Sequence, residues 1–237
     1  AAQLGLPVIQ PRRLRDPEVM EQLHAWKPEV IVVAAFGQIL RPNVLDLPPH
    51  GCINVHASLL PRWRGAAPIQ AAILHGDPEA GVTIMKMDPG VDTGPMLAHR
   101  AIPLTSDETA GTLSPKLAQL GADLLCEVLP PYLRGELLPK PQDEPLATYA
   151  PMLKKEDGVL DFNQPAEALT RQVRAYNPWP GAWMDWGGDV LKIHRAKAVE
   201  GTALPGQKVR AGKFPAIGTV SGLLLLEEVQ PSGKKPM

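Results

Sequence analysis

Hydrophobic and polar positions follow a regular pattern through the first 130 residues. Two short, continuous apolar runs rich in β-branched residues, VIVVAA (30–35) and GCINVHA (51–57), read as strands covered on both faces. Before them, DPEVMEQLHAW (16–26) has an Asp cap and a Pro in its first turn, which predicts a helix that Pro28 ends. APIQAAILHG (67–76) predicts a short helix closed by its C-terminal Gly. GVTIMKM (81–87) and MLAHRAIPL (96–104) read as strands on either side of the loop DPGVDTGP, and a longer helix is expected over 107–129. Strands alternating with helices predict an α/β fold with a mostly parallel sheet.

From about residue 130 the texture changes. PPYLRGELLPKPQDEPLATYAPMLKKEDG (130–158) has frequent Pro and Gly and little periodicity, and reads as an extended, semi-rigid linker. One helix follows at 164–176, and then strand-like segments at 181–188, 189–200 and 217–229 separated by Gly and Pro. These predict a small β-rich domain closed as a barrel, since closure removes exposed edges. The expected division is therefore residues 1–135, a connecting stretch 136–154, and residues 155–237.

Composition is that of a globular chain: 237 residues, 44% hydrophobic and 21% charged. The net charge of -1 conceals an asymmetry, because residues 1–153 hold 12 Lys and Arg against 16 Asp and Glu, and residues 154–237 hold 12 against 9. The second half is thus the basic one. Cys52 and Cys126 lie far apart in no metal-type spacing, which reads as two free thiols of a cytoplasmic protein. No apolar run is long enough to cross a membrane, and no charged-then-apolar leader opens the chain.

The candidate chemistry begins in GCINVHAS. Alternation along a strand turns Asn54, His56 and Ser58 to one side and Ile53, Val55 and Ala57 to the other. The polar set falls at the carboxyl end of a presumed parallel strand, where open α/β sheets keep their ligand crevice. A core histidine satisfied by a carbonyl, with Asn54 capping a loop, fits the same residues. Asp92 sits in a Gly/Pro-rich turn that can hold a carboxylate rigidly, or simply closes an Asx turn. The loop SLLPRWRGAAP (58–68) is too apolar for a mere connector, and Pro61 and Pro68 reduce the entropy lost in ordering it. It suits an aromatic or apolar ligand, or packs onto its own sheet. A G-x-S-x-G elbow, metal-type histidine spacings and a G-x-G-x-x-G turn are all missing, which counts against serine-hydrolase, metal and dinucleotide chemistry.

Taken together, NVHASLLPRWRG (54–65), PGVDTGP (89–95) and NPWPGAW (177–183) make the chain resemble the folate-dependent formyltransferases over essentially its whole length. The resemblance implies a Rossmann-like catalytic half followed, after a linker, by an OB-like barrel. It implies that Asn54, His56 and Asp92 are catalytic, and that Ser58, Leu59, Leu60 and Pro61 help bind 10-formyltetrahydrofolate, with no metal. A slot for the flat pterin ring is expected between Leu59, Leu60 and the turn AAFGQIL (34–40), with Phe36 and Gly37 in its wall. The loop MDPGV (87–91), including Asp88 and Val91, would supply backbone contacts. Members of the family carry a further segment ahead of the position where this sequence begins. The chain is therefore expected to be a piece of a longer enzyme, inactive and unstable by itself because half a parallel sheet exposes an edge.

These residue types suit formyl transfer. An amine attacks the formyl carbon, the oxygen gains charge, and the folate nitrogen leaves, so a preorganised donor for that oxygen is the main need. Asn54 donates through its amide; a protonated His56 donates and can pass a proton to the leaving nitrogen; Asp92 orients His56 and can help take the proton of the attacking amine. A tRNA acceptor would need a basic surface. Lys192, Arg195 and Lys197 are candidates, with Lys154 and Lys155 in the linker and Arg171 and Arg174 on the helix at 164–176. Strict alternation in LKIHRAKA would put Lys192, His194 and Ala196 on one face and Arg195 and Lys197 on the other. A solvated barrel face accounts for these charges equally well. Within the family, the second domain and its basic character point to initiator methionyl-tRNA as acceptor and to a monomer. The competing readings are a formyltransferase for another amine, a formyl-folate hydrolase, and a catalytically silent folate- or RNA-binding protein.

Overall fold

A computed structural model describes residues 2–237. The N-terminal half contains helix α1 (Pro17–Trp26), strand β1 (Ile31–Ala34), a single helical turn α2 (Pro42–Leu45) and strand β2 (Cys52–His56). A two-residue strand β3 (Arg64–Gly65), helix α3 (Pro68–His75), strands β4 (Glu79–Lys86) and β5 (Met96–Pro103), and the long helix α4 (Ala110–Leu133) complete it. The sheet order is β1-β2-β4-β5. β1 and β2 are parallel, with Val33 opposite Asn54, whereas β2–β4 and β4–β5 are antiparallel.

The α/β class is as the pattern predicts, but among the described residues the sheet is mixed, with one parallel pair. Chain length explains this for β4 and β5: residues 87–95 between them make only a hairpin loop, and a parallel return needs about a dozen residues or more. Ile53, Val82 and Ile84 of the sheet pack against Leu113, Leu117 and Leu124 of α4, all buried. α4 begins at 110, later than the acidic turn suggested, because Thr109 caps it. The Thr109 side chain accepts from Thr112 N at 3.1 Å and Thr112 Oγ1 accepts from Thr109 N at 3.0 Å.

The connecting stretch is docked against the first half. Met96 and Lys140 exchange backbone hydrogen bonds of 2.8 Å, and a short strand β6 (Tyr149–Ala150) pairs in parallel with β3. Its carbonyls and Thr148 bind the 63–67 loop: Arg64 N donates to Thr148 O and Ala66 N to Ala150 O, both at 2.9 Å.

The C-terminal half contains α5 (Ala166–Ala175) and strands β7 (Ala182–Trp186), β8 (Asp189–Val199), β9 (Lys208–Ala211), β10 (Phe214–Gly218) and β11 (Leu223–Pro231). They form one antiparallel sheet in the order β7-β8-β11-β10-β9, with Leu169 and Val173 of α5 packed into its core. Among the described residues β7 and β9 share no ladder, so the expected barrel is an open five-stranded sheet backed by a helix. The segment read as one strand over 217–229 is a hairpin turned at Gly222, with β10 and β11 as its arms.

Between β8 and β11 the ladder is irregular. Ile193 faces Val229, Arg195 faces Glu228 and Ala196 faces Leu226, which leaves His194 and Glu227 as the extra residues of two opposed bulges. Each bulge shifts the alternation by one. Leu191, Ile193 and Ala196 consequently point into the core, and Lys192, Arg195 and Lys197 are all exposed. The expected separation of Lys192 from Arg195 and Lys197 is thereby corrected.

The two halves meet through α3 and α5. Arg171 Nε donates to Leu74 O at 2.9 Å, and Arg174 Nη1 to Glu108 O at 2.9 Å. The NPWPGAW segment joins the same contact, as Asn177 O accepts from Gly111 N at the start of α4 at 2.9 Å.

Candidate active site

Asn54 and His56 lie at the C-terminal end of β2, on one side of the strand as alternation requires, and Asp92 reaches both from the β4–β5 loop. Asn54 Nδ2 donates to Asp92 Oδ1 at 3.2 Å, and His56 Nδ1 stands 3.6 Å from Asp92 Oδ2. The other imidazole nitrogen, Nε2, is 2.9 Å from the carbonyl of Trp63. A carbonyl only accepts, so Nε2 carries a proton and the ring is pinned by its far side. His56 is buried, and its Nδ1 edge is the one turned to the carboxylate.

Asp92 is held in an uncommon conformation. Its φ is +53°, in the left-handed region that a non-glycine residue enters only when its surroundings enforce it. Those surroundings are specific: Gly65 N donates to Asp92 Oδ2 at 2.9 Å, and Gln142 Nε2 donates to Asp92 O at 2.8 Å and to Gly94 O at 2.7 Å. Gly94 is required because a Cβ there would collide with the Lys86 carbonyl. Asp88 closes the other end of the loop, accepting from Gly90 N at 3.0 Å and Thr93 Oγ1 at 2.7 Å.

The SLLPRWRG segment is a built loop. Ser58 Oγ donates to Arg62 O at 2.6 Å, and Thr83 Oγ1 links the segment to β4 by donating to Ser58 O and accepting from Leu60 N. Ser58 and Leu60 are buried, and Leu59 packs over Gly81, so the side chains of this segment are committed to the protein. The hydroxyl of Ser58 and the side chain of Leu60 are thus turned inward, while Pro61 is half-buried. Trp63 is buried against the His75 ring, centroids 4.4 Å apart, and donates through Nε1 to Asp77 Oδ2 at 2.7 Å. Asp77 also takes the Arg62 guanidinium in a bidentate pair at 2.8 and 2.6 Å. Burial alone would raise the Asp77 carboxyl, but the hydrogen bonds from Arg62 and Trp63 outweigh it and hold the group below the usual carboxylate range.

Phe36 and Val91 are exposed, apolar and without a role in the core. Beside the turn that holds Phe36 and Gly37 is a cleft of about 470 Å³, lined by Arg13, Arg15, Gly37, Gln38, Ile39 and Arg41 among others. It adjoins the expected pterin turn and does not contain Asn54, His56 or Asp92. The three arginines were not anticipated; Arg13 and Arg15 belong to RRLR (12–15) ahead of the first apolar run, a readable signal, and Arg41 directly precedes α2. Arg64, Gly65 and Gln142 were also missed as parts of the site, because their partners are far away in sequence.

The basic candidates divide into two groups. Lys192, Arg195 and Lys197 are exposed on β8, with Arg195 Nε and Lys197 Nζ 3.2 and 3.1 Å from the Glu227 carboxylate. Lys154 and Lys155 are exposed in the connecting stretch. Arg171 and Arg174 instead bind carbonyls of the first half, and burial lowers the Arg174 pKa from its ordinary value. Trp179 and Trp186 are exposed, and Lys208 lies 3.8 Å over the Trp186 ring.

An amide donor, an imidazole and a carboxylate brought together at the end of a parallel strand pair are the makings of a group-transfer site that stabilises an oxyanion. The comparisons with known proteins give that class its family. The chain belongs to the formyl transferase family: residues 2–129 match the formyl transferase domain and residues 152–237 the formyl transferase C-terminal domain.

Among curated relatives, the methionyl-tRNA formyltransferase of Myxococcus xanthus is 50% identical over 234 residues, covering 98% of this chain and 75% of its own length. That of Roseiflexus sp. is 47% identical, covering 100% and 74%. Among solved structures, methionyl-tRNA formyltransferase from Clostridium thermocellum aligns with a TM-score of 0.65 at 19% identity, covering 94% of this chain and 85% of that one. HypX from Aquifex aeolicus in complex with tetrahydrofolic acid aligns at 0.70 and 21%, covering 94% and 39%. At such identities the structures speak for the fold.

Proposed function

We propose that the chain carries the formyl group of 10-formyltetrahydrofolate to the α-amine of initiator methionyl-tRNA, with Asn54, His56 and Asp92 as the catalytic residues. The observation that carries this reading is the single carboxylate of Asp92 shared between Asn54 Nδ2 and His56 Nδ1. Asn54 supplies an amide donor to the formyl oxygen as it gains charge. His56, fixed by the Trp63 carbonyl, holds a proton on Nδ1 for the leaving nitrogen. Asp92 steadies that ring and receives the proton released by the attacking amine.

The fit of the folate rests on chemistry visible beside the site. Exposed Phe36 and Val91 offer apolar surface to a flat heterocycle, with backbone contacts from 87–91 in this reading. The cleft beside Gly37, with Arg13, Arg15 and Arg41, suits the carboxylates at the far end of a folate. The acceptor reading is supported by relatives of about 50% identity that are methionyl-tRNA formyltransferases, and by the exposed cations on β8 and in the connecting stretch. In this reading residues 1–135 perform the chemistry, 136–154 connect, and 155–237 meet the acceptor, in a cytoplasmic monomer. No helix among the described residues is long and apolar enough to cross a membrane.

The test is a transfer assay with 10-formyltetrahydrofolate, offering methionyl-tRNA, a free sugar amine and water in competition. Methionyl-tRNA should be the preferred acceptor, and His56→Ala should lower its turnover about 10²-fold or more. Preference for water or the sugar amine, or near-normal turnover by His56→Ala, would overturn the assignment.

A further inference from the structure

Gln142 lies in the connecting stretch, 50 residues from Asp92 in sequence, yet both of its polar atoms are committed to the active-site loop and its neighbour. Its Nε2 donates to the carbonyls of Asp92 and Gly94 at 2.8 and 2.7 Å. Its Oε1 accepts from Arg64 Nε and Nη2 at 3.0 and 2.9 Å. That second contact fixes which way the amide faces, because a guanidinium only donates, so the NH2 group must point at the loop. Arg64 is itself fully buried, and its remaining donors reach Glu144, two residues further along the same stretch, at 3.0 and 2.7 Å.

The arrangement has a mechanical meaning. Asp92 occupies a backbone conformation costing about 1–3 kcal/mol, which persists only where the surroundings over-determine it. Its carboxylate is located by Gly65 N, and its backbone carbonyl by Gln142, alone among the described side chains. Arg64 adjoins Gly65, so the chain Glu144–Arg64–Gln142–Asp92 ties both sides of the carboxylate to one segment.

We propose that Gln142 is a positioning residue of the formyl-transfer site, acting through Asp92, and that the connecting stretch is thereby a working part of the catalytic half. The inference rests on the reading of Asp92 as catalytic. Its test is a double-mutant cycle in the full chain, with turnover, KM for both substrates and Tm measured for Gln142→Met, Gln142→Glu, Asp92→Asn and the Gln142→Met/Asp92→Asn pair. Gln142→Glu keeps an acceptor for Arg64 but removes both donors to the loop.

Each single Gln142 substitution should lower kcat about tenfold or more, with KM within about twofold, as expected when a reacting group is displaced. Added to Asp92→Asn, Gln142→Met should cost nothing further, because its effect passes through the group already removed. Independent, multiplying effects in the pair would overturn the proposal. So would a normal kcat in Gln142→Glu, or loss of folding in both Gln142 variants, which would make the residue a purely structural one. If Asp92→Asn alone left turnover unchanged, the catalytic reading of Asp92 would fall, and this inference with it; an impaired Asp92→Asn with multiplying effects sinks only the inference.

Discussion

Gly65 and Ala150 approach so closely that a Cβ on Gly65 would sit 2.7 Å from the Ala150 carbonyl oxygen. The φ of Gly65 is +106°, a region closed to L side chains, and its amide is the one that donates to Asp92. Gly65→Ala should therefore lower stability by about 1–3 kcal/mol and depress turnover as well. Denaturant unfolding and a transfer assay on the same sample check it; unchanged stability would show that β3 does not need its pairing with β6.

Asn54 offers a sharper chemical test, because its amide faces Asp92 from the end of a strand whose core packing comes from other residues. Asn54→Ala should leave Tm within a few degrees and reduce kcat about 10²–10³-fold, the usual cost of removing one oxyanion donor. An effect confined to KM for the folate would assign Asn54 to ground-state binding instead.

The exposed cations of β8 predict a salt signature. Replacing Lys192, Arg195 and Lys197 by Gln should weaken methionyl-tRNA binding. It should also shallow the slope of log K against log salt by up to about one for each phosphate that is no longer neutralised. Arg195 and Lys197 share Glu227, which reduces their net positive field, so Lys192 should contribute most. Binding titrations at several salt concentrations decide the matter; an unchanged slope would place the acceptor elsewhere.

Asp77 predicts a pH dependence. Its carboxyl is held below the ordinary value in the folded chain, so the unfolded chain takes up the proton first as pH falls. The stability it contributes is present in full above the unfolded value near pH 4, and is lost as pH falls through the lower folded value. Unfolding measured between about pH 5 and pH 2 should be steeper for the wild type than for Asp77→Asn. Parallel curves would show that the pairing with Arg62 and Trp63 carries no net stability.

Much of this was legible in the sequence because it depends on local pattern. The β-branched runs gave β1 and β2, and alternation within GCINVHA put Asn54 and His56 on one side. Asp92 stood out through its Gly and Pro neighbours. What escaped the pattern has identifiable reasons. β9 is four residues long with two cations in it, too short and too charged to register as a strand. Gln142 looks like any polar linker residue until the chain returns it to Asp92. Arg171 and Arg174 resemble a basic patch on a helix, and only tertiary packing shows them bound to carbonyls of the other half. The Ser58 hydroxyl closes its own loop on the Arg62 carbonyl, a contact that strand alternation does not reveal.

The opposed bulges at His194 and Glu227 have a consequence for how this sheet can vary. His194 and Glu227 are the unpaired residues of their bulges, so removing either leaves the neighbouring pairs in place: Ile193 still faces Val229, Arg195 faces Glu228 and Ala196 faces Leu226. What a deletion takes away is the local bend and extra twist, while Leu191, Ile193 and Ala196 keep their inward side. The two positions are therefore places where this sheet can change length by one residue without exchanging core for solvent, and single deletions there should still fold.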